Sequence, residues 1–532
     1  MDGDRPALRR TARAAVAGVP LVFLAVFFVW PLAAILERSL VEDGRLDLPF
    51  DVLVARETLD VTWFTLWQAT ASTALTLAAG LPLTWALARF SFPGRRLAEA
   101  LVLIPFVLPT IVVATAFLAV LPDALEGTVW AILVAHVFFN VAVVVYLVGA
   151  FWGQLDGRVS DVAATLGADP ARRFLAVTVP LLQPALAAAA AIVFLFSFTS
   201  FGVVVILGGP GYATLEAEIY NQAARLFDLR TAAVLALLQL AAVTAAVAVA
   251  GRLERRLGGG RTARSTPRRR PAGRERVVVT LVVAVSLALL AVPVAALVER
   301  SLSVPGGYGL DHFRALARET PALLVTPWHA VVNSFLFAGL AAAIALAVGL
   351  PAAAVAAGRR GGWLGMLVLL PLGVSAAMLG FGYLLAFDEP PLDLRGSPWL
   401  VPLAQALVAM PFVVRTVAPA LRAVDDRLRE AAAVLGASPA RVRREIVLPL
   451  VAPALGAAAA IAFAVALGEF GATVFVARAD WPTLPVAIFR FLGRPGAENV
   501  GQAMALAVTL AGLTVAVALA AARARAGRGW RP

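Results

Sequence analysis

The sequence predicts an all-α, polytopic membrane protein with about twelve transmembrane helices, arranged as two parallel six-helix repeats. Three observations carry that prediction. Apolar residues make up 61% of the 532-residue chain, and its mean hydropathy is +0.86; soluble domains are nearer half apolar. Charged residues are only 15% and cluster between long apolar runs, many of which reach the roughly 20 residues that span a bilayer core. Finally, a polar, Arg-bearing passage occurs twice, at 161–186 (DVAATLGADPARRFLAVTVPLLQPAL) and 430–455 (EAAAVLGASPARVRREIVLPLVAPAL), with about half its positions identical.

The apolar segments fall near 15–36, 62–88, 100–121, 128–152, 184–207 and 231–251, then near 277–298, 329–357, 363–387, 399–421, 453–477 and 500–522. The first run is longer than the roughly 7–15 apolar residues of a secretory signal, so it reads as a retained span. The loops support the count. Arg recurs on alternate loops: Arg89, Arg95 and Arg96; Arg158, Arg172 and Arg173; the 252–276 stretch; Arg359 and Arg360; Arg422 to Arg444; Arg523 to Arg531. The loop after the first span is acidic instead, with Glu42, Asp43, Asp47, Asp51, Glu57 and Asp60. Positive charge favours the cytoplasmic side, which places both termini there.

From Gly80 onward the duplication holds one offset, 269 residues, as from Gly167 to Gly436 (436 − 167), while near the start Glu37-Arg38-Ser39-Leu40 recurs as Glu299-Arg300-Ser301-Leu302. It carries Gly80-Leu81-Pro82 onto Gly349-Leu350-Pro351, Phe201-Gly202 onto Phe470-Gly471, and Thr214-Leu215 onto Thr483-Leu484. Six spans per copy is an even number, so the copies share one orientation. The expected division is a first half at 1–251, a linker at 252–276 and a second half at 277–532. The linker is rich in Arg, Gly and Pro with little to bury. It reads as a connection and topology anchor rather than as a lipid or partner site.

Composition also excludes. There is no Cys and no Lys, hence no thiolate metal site and no P-loop, whose Lys reaches the nucleotide phosphates. Any ATP that drives this chain is hydrolysed by another polypeptide. The formal charge of +12 belongs to loops flanking spans and does not point to nucleic acid. His136 stands alone in an aromatic setting, and no metal-ligand spacing is present.

Each copy of the repeated passage, within loops 153–183 and 422–452, reads as a short helix, a tight turn and a second helix. Gly167 and Gly436 suit the positive φ common just past a helix end. Asp169-Pro170 and Ser438-Pro439 suit an N-cap followed by Pro at the first helical position. The small residues Ala163, Ala164, Ala431 and Ala432 allow close approach of another chain. Arg172 and Arg441 offer charge-assisted contacts around it. The ordinary alternative is an amphipathic elbow packed on the protein's own helices; two matched copies weigh against it.

This pattern resembles the EAA loop of permease subunits of binding-protein-dependent ABC importers. Glu430-Ala431-Ala432, Gly436 and Ile446-Val447-Leu448-Pro449 match it fully. The first copy departs conservatively, with Asp161-Val162-Ala163 and Val177-Thr178-Val179-Pro180. The resemblance implies that each loop couples to one of two cytoplasmic ATPase subunits, that ATP is bound on those partners and not by this chain, and that an external solute-binding protein delivers substrate. The fused layout is similar to double permeases of the thiamine and ferric-iron branch. Leu133 to Asn140 and Phe198 to Tyr220 resemble thiamine permeases, while Leu467 to Thr473 is also similar to molybdate and sulfate permeases. Thiamine or a related cation ranks first, ferric iron second. A secondary transporter of two parallel six-helix halves is the rival of another class.

Glu469 lies inside an expected span, where a carboxylate is costly. It either lines the path or bonds to backbone as a packing group; its equivalent in the first half is Ser200. Segments 208–220 and 480–489 form a second repeated pair. They are expected to meet the binding protein through Thr214, Glu216, Glu218, Tyr220, Thr483 and Phe489, or else simply to join spans.

Overall fold

The computed structural model describes residues 16–42, 45–156, 158–209, 211–257, 268–358, 362–388, 390 and 392–526. Among the described residues, ten single helices are long and apolar enough to cross a membrane. In the first half these are Val16–Leu40, Arg56–Arg89, Val129–Trp152, Pro170–Phe198 and Leu229–Val249. In the second they are Gly273–Leu302, Pro327–Ala356, Leu400–Arg422, Pro439–Gly468 and Ala497–Ala521. The remaining span of each half, expected near 100–121 and 363–387, is broken. Arg95–Val107 and Thr110–Val120 meet at 102°, and Gly362–Gly373 and Ala376–Ala386 meet at 93°. Twelve spans result if each bent pair is one crossing.

The breaks have local causes. Pro109 at the first break and Ser375 at the second adopt extended conformations, and Ser375 Oγ accepts from the Met378 N–H at 3.3 Å. Broken backbone at membrane depth is tolerated where protein surrounds it. Both inner segments meet that condition: Ile111 to Phe117 and Ala377 to Tyr383 are buried without interruption.

Other boundaries move as well. The expected span at 184–207 begins at Pro170 and ends at Phe198; Phe201–Leu207 is a separate helix. Its counterpart ends at Gly468, followed by the short Thr473–Val476 helix. Pro180 and Pro449 therefore sit inside continuous helices. In each copy a π-helical turn, Phe174–Thr178 or Arg443–Val447, immediately precedes the segment carrying them. Such turns loosen the helical ladder that a Pro interrupts. The linker also shrinks, because Leu229–Leu257 and Gly273–Leu302 are helical. Residues 258–267, Arg359, Arg360, Arg528 and Arg531 lie outside the described residues.

The chain divides into two compact units. One comprises Phe50–Glu218 and Leu238–Gly309; the other comprises Met1–Pro49, Ile219–Leu237 and Leu310–Pro532. The compact units thus differ from the duplicated halves. The helix that opens each half packs within the unit built mainly from the other half.

In the first unit, Arg56–Arg89 packs along Val129–Trp152 and Val179–Phe198, with Val144, Val148, Leu182 and Val193 at the centre. A Cβ on Gly80 would stand 3.0 Å from Val144. Helices in lipid associate through such close packing of small residues. Gly273–Leu302 lies against Thr110–Val120 and Arg95–Val107. In the second unit, Pro327–Ala356 packs on Leu400–Arg422 in the same manner. A Cβ on Gly349 would come within 2.9 Å of Val413, the counterpart of Val144. Trp30–Leu40 lies against Ala376–Ala386, where Tyr383 Oη donates to the Phe27 carbonyl at 2.8 Å.

Candidate functional site

The two copies of the repeated passage fold into the same elbow. The first helix is Arg158–Thr165 in one copy and Asp426–Val434 in the other. Each begins under an Asp cap: Asp156 Oδ1 accepts from the Arg158 N–H at 3.0 Å, and Asp425 Oδ1 from the Arg427 N–H at 2.9 Å. Sequence reasoning missed these two caps, although Asp156 and Asp425 stand at the 269-residue offset.

Each first helix ends in a left-handed turn. Gly167 has φ +84° and Gly436 φ +82°. The Gly167 and Ala168 N–H groups donate to the carbonyls of Ala164 and Ala163, both at 3.0 Å. Gly436 and Ala437 donate to Ala433 and Ala432 at 3.0 and 2.9 Å. This paired closure satisfies the last carbonyls of a helix. The second helix then starts under Asp169 Oδ1, which accepts from the Arg172 N–H at 2.7 Å, or Ser438 Oγ, which accepts from the Arg441 N–H at 3.3 Å.

These bonds present a shared face. At the turn, Leu166 is 83% exposed and its counterpart Leu435 is 87% exposed. Ala163 and Ala432 are half-buried, while Ala164, Glu430, Ala431, Arg172 and Arg441 are exposed. A hollow of about 280 Å3 beside the second turn is lined by Ala432, Leu435, Arg441 and Ile446, among others. Each copy thus holds one large apolar side chain out at the same left-handed turn. The copies differ at two ion pairs: Arg441 Nε meets Glu445 at 3.0 Å, where the first copy has Ala176, and Arg429 meets Asp426 at 3.1 Å, where the first copy's sequence has Ser160 and Gly157. The Asp161 side chain lies outside the described residues.

The second repeated pair is not the exposed surface expected. Thr214, Glu216 and Thr483 are buried, and Glu218, Tyr220 and Phe489 are half-buried. These segments form short helices, Leu215–Tyr220 and Leu484–Leu492. The helix starts are pinned at equivalent places. The Leu215 N–H donates to Thr65 Oγ1 at 3.0 Å, and the Leu484 N–H donates to Ser334 Oγ at 2.6 Å. Glu216 Oε1 accepts from Gln239 Nε2 at 2.9 Å. Tyr220 and Phe489, equivalent positions of the duplication, meet edge to face at 5.8 Å. In this structure the side chains of Thr214, Glu216 and Thr483 are therefore not on the surface.

Glu469 resolves in favour of backbone bonding. Its carboxylate is buried and accepts from the Ala472 N–H at 2.7 Å, the Thr473 N–H at 3.0 Å and the Thr473 hydroxyl. It caps the start of the short Thr473–Val476 helix. Ser200 is also buried, but its side chain caps nothing.

The first unit contains a polar cluster that sequence reasoning did not assemble. Gln68 and Ser72 lie one turn apart on Arg56–Arg89, and His136 and Asn140 one turn apart on Val129–Trp152. Ser72 Oγ meets His136 Nδ1 at 2.9 Å. Gln68 Nε2 donates to the Ser197 carbonyl at 2.9 Å, and Asn140 Nδ2 to Ser197 Oγ at 3.4 Å. Gln68 Oε1, Asn140 Oδ1 and His136 Nε2 are buried with no hydrogen-bond partner among the described residues. The i, i+4 spacing of each pair was the available signal. Among the described residues no group of three His, Cys, Asp or Glu is placed to hold a metal ion.

An all-α chain that spans the membrane many times, carries its helical architecture twice and presents a matched elbow from each copy has the build of a transport permease. Residues 80–259 and 345–528 both match the family described as "Binding-protein-dependent transport system inner membrane component". The chain belongs to that family and carries its domain twice, as a fused ABC importer permease. It is 30% identical to the "Thiamine transport system permease protein ThiP" of Brucella abortus (strain 2308), with 96% of each chain covered. The protein of the same description from Brucella suis biovar 1 is 29% identical over the same shares. A single stretch, 42% of this chain, is 32% identical to 84% of the "Putative 2-aminoethylphosphonate transport system permease protein PhnV" of Salmonella typhimurium.

Proposed function

We propose that this chain forms both membrane halves of an ATP-driven importer for thiamine or a related cation. Two separate ATPase subunits dock on the elbows at Leu166 and Leu435, and an external solute-binding protein delivers the substrate. The elbows then lie in the cytoplasm with both termini, as the Arg distribution favours. The observation that supports coupling is the matched elbow: equal capping, equal left-handed turns and equal exposure of one Leu. A rigid turn passes a push from a docked partner into the helix that follows it. Here that helix runs on from Pro170 to Phe198, or from Pro439 to Gly468, without a loop in between.

The choice of thiamine rests on similarity along the full length of both chains. Ferric iron is the second reading, held by the resemblance of the fused layout to that branch. A solute-binding protein that co-purifies with this chain would distinguish them by its ligand. The expected result is tight binding of thiamine by that protein; tight binding of ferric iron without thiamine overturns the choice of substrate. Docking is tested separately by Leu166→Asp with Leu435→Asp. Both side chains are exposed, so the permease should still fold while the ATPase no longer co-purifies. Undiminished co-purification removes the elbows from the account.

A further inference from the structure

We propose that the first unit holds one anionic phospholipid in the groove between the Arg95–Val107 and Gly273–Leu302 helices. The groove encloses about 890 Å3. Leu97, Leu101, Val283 and Leu287 line its wall, and Arg270 and Arg276 stand at its mouth. Both helices belong to candidate membrane spans, so the wall lies at acyl-chain depth and the mouth at the level of head groups. Leu97 and Leu101 are exposed within it.

Of the neighbouring cations, Arg95 and Arg269 are already engaged, and Arg96 and Arg268 do not line the groove. Arg95 pairs with Glu99 at 2.5 Å and donates through Nε to the Leu87 carbonyl at 2.9 Å. Arg269 pairs with Glu275 and lies 5.0 Å above the Phe90 ring. Its backbone is tied to the end of the Arg56–Arg89 helix: the Ser91 N–H donates to the Arg269 carbonyl at 2.9 Å, and the Arg269 N–H to the Arg89 carbonyl at 3.2 Å. That tie fixes the position of the next residue, Arg270. Arg270 and Arg276 are exposed and make no ion pair among the described residues. Two uncommitted guanidinium groups beside an apolar wall match a phosphate with an acyl chain below it. A zwitterionic head group brings its own cation and leaves the two Arg charges uncompensated. The adjoining residues 258–267, GGGRTARSTP, have no large apolar side chain to fill the wall. Linker composition alone reads as an anchor; the groove beside it supplies the binding surface.

The test uses the full chain in nanodiscs of equal phosphatidylglycerol and phosphatidylcholine, followed by mild delipidation and native mass spectrometry. One retained phosphatidylglycerol per chain is expected, enriched about ten- to thirty-fold, the scale of two Arg near an anionic surface. R270Q with R276Q should abolish the preference. Ala284→Phe fills the wall and leaves both charges, so it should lower retention of either lipid. A wild-type chain that retains both lipids equally has only bulk lipid there, and the proposal fails. It fails equally if R270Q with R276Q keeps the wild-type preference, or if millimolar inorganic phosphate displaces the lipid, which would mark a simple phosphate site.

Discussion

The two duplicated halves agree at their elbows and differ in the polar groups of their interiors. At the elbows every main feature recurs at the same offset: the Asp156 and Asp425 caps, the Gly167 and Gly436 turns, the exposed Leu166 and Leu435. In the interior, Gln68, Ser72, His136, Asn140 and Ser197 correspond at the same offset to Phe337, Ala341, Gln405, Ala409 and Ala466. Glu469 caps a helix where Ser200 does not. Under the proposed function this division has a physical reason. Two copies of one ATPase need two equal docking turns. A single small solute moving between the halves imposes no such equality, so interior packing is free to diverge.

The largest expected effect comes from unbalancing the elbows. Leu166→Asp and Leu435→Asp, made singly, should each cut ATP-driven uptake at least about ten-fold, a loss of about 1.4 kcal/mol or more in coupling. Comparable losses confirm that the copies act as a pair. A loss from only one makes the second elbow dispensable.

Next come the matched helix contacts. Gly80→Leu and Gly349→Leu force side chains into Val144 and Val413, and overpacking of this kind costs about 1–3 kcal/mol. Thermal unfolding of the purified chain should show similar drops for both. An undisturbed melting temperature would mean that the helices separate easily.

The interior difference gives two smaller, unequal pairs. Ser72→Ala leaves His136 Nδ1 buried and unpaired, at about 1–3 kcal/mol. Ala341→Ser at the equivalent site breaks no existing bond and should shift stability less. Glu469→Ala removes a cap at about 0.5–2 kcal/mol, whereas Ser200→Ala should be close to neutral because its hydroxyl caps nothing. Equal melting shifts within either pair would show that the halves are more alike inside than these bonds indicate.

Much of this architecture is legible in the sequence, for reasons that also explain the rest. Span number follows from apolar length, and the elbows follow from Gly, Asp-Pro and Ser-Pro at a fixed offset. Those signals are local. The bends at Pro109 and Ser375 are not, because apolar residues flank both and composition cannot tell a straight span from a broken one. The partnership of each opening helix with the other half is also hidden, since apolar helices carry no address. The polar cluster joins residues far apart in sequence, Gln68 to Ser197, and only the recurring i, i+4 pairs hint at it. The 208–220 and 480–489 segments read as outer loops because they recur after equivalent spans and break the apolar runs there, with Gly208, Gly209 and Gly211 in one and Pro482 and Pro485 in the other. Hydroxyls at Thr65 and Ser334 draw these segments inward by capping Leu215 and Leu484.

The central claim is that the elbows receive work from ATP hydrolysed on other chains. Its most direct test is thiamine uptake into proteoliposomes containing this chain, its ATPase and its binding protein. The account predicts uptake that requires enclosed ATP and persists when a protonophore collapses the proton gradient. Uptake that continues without ATP while a proton gradient stands would contradict it.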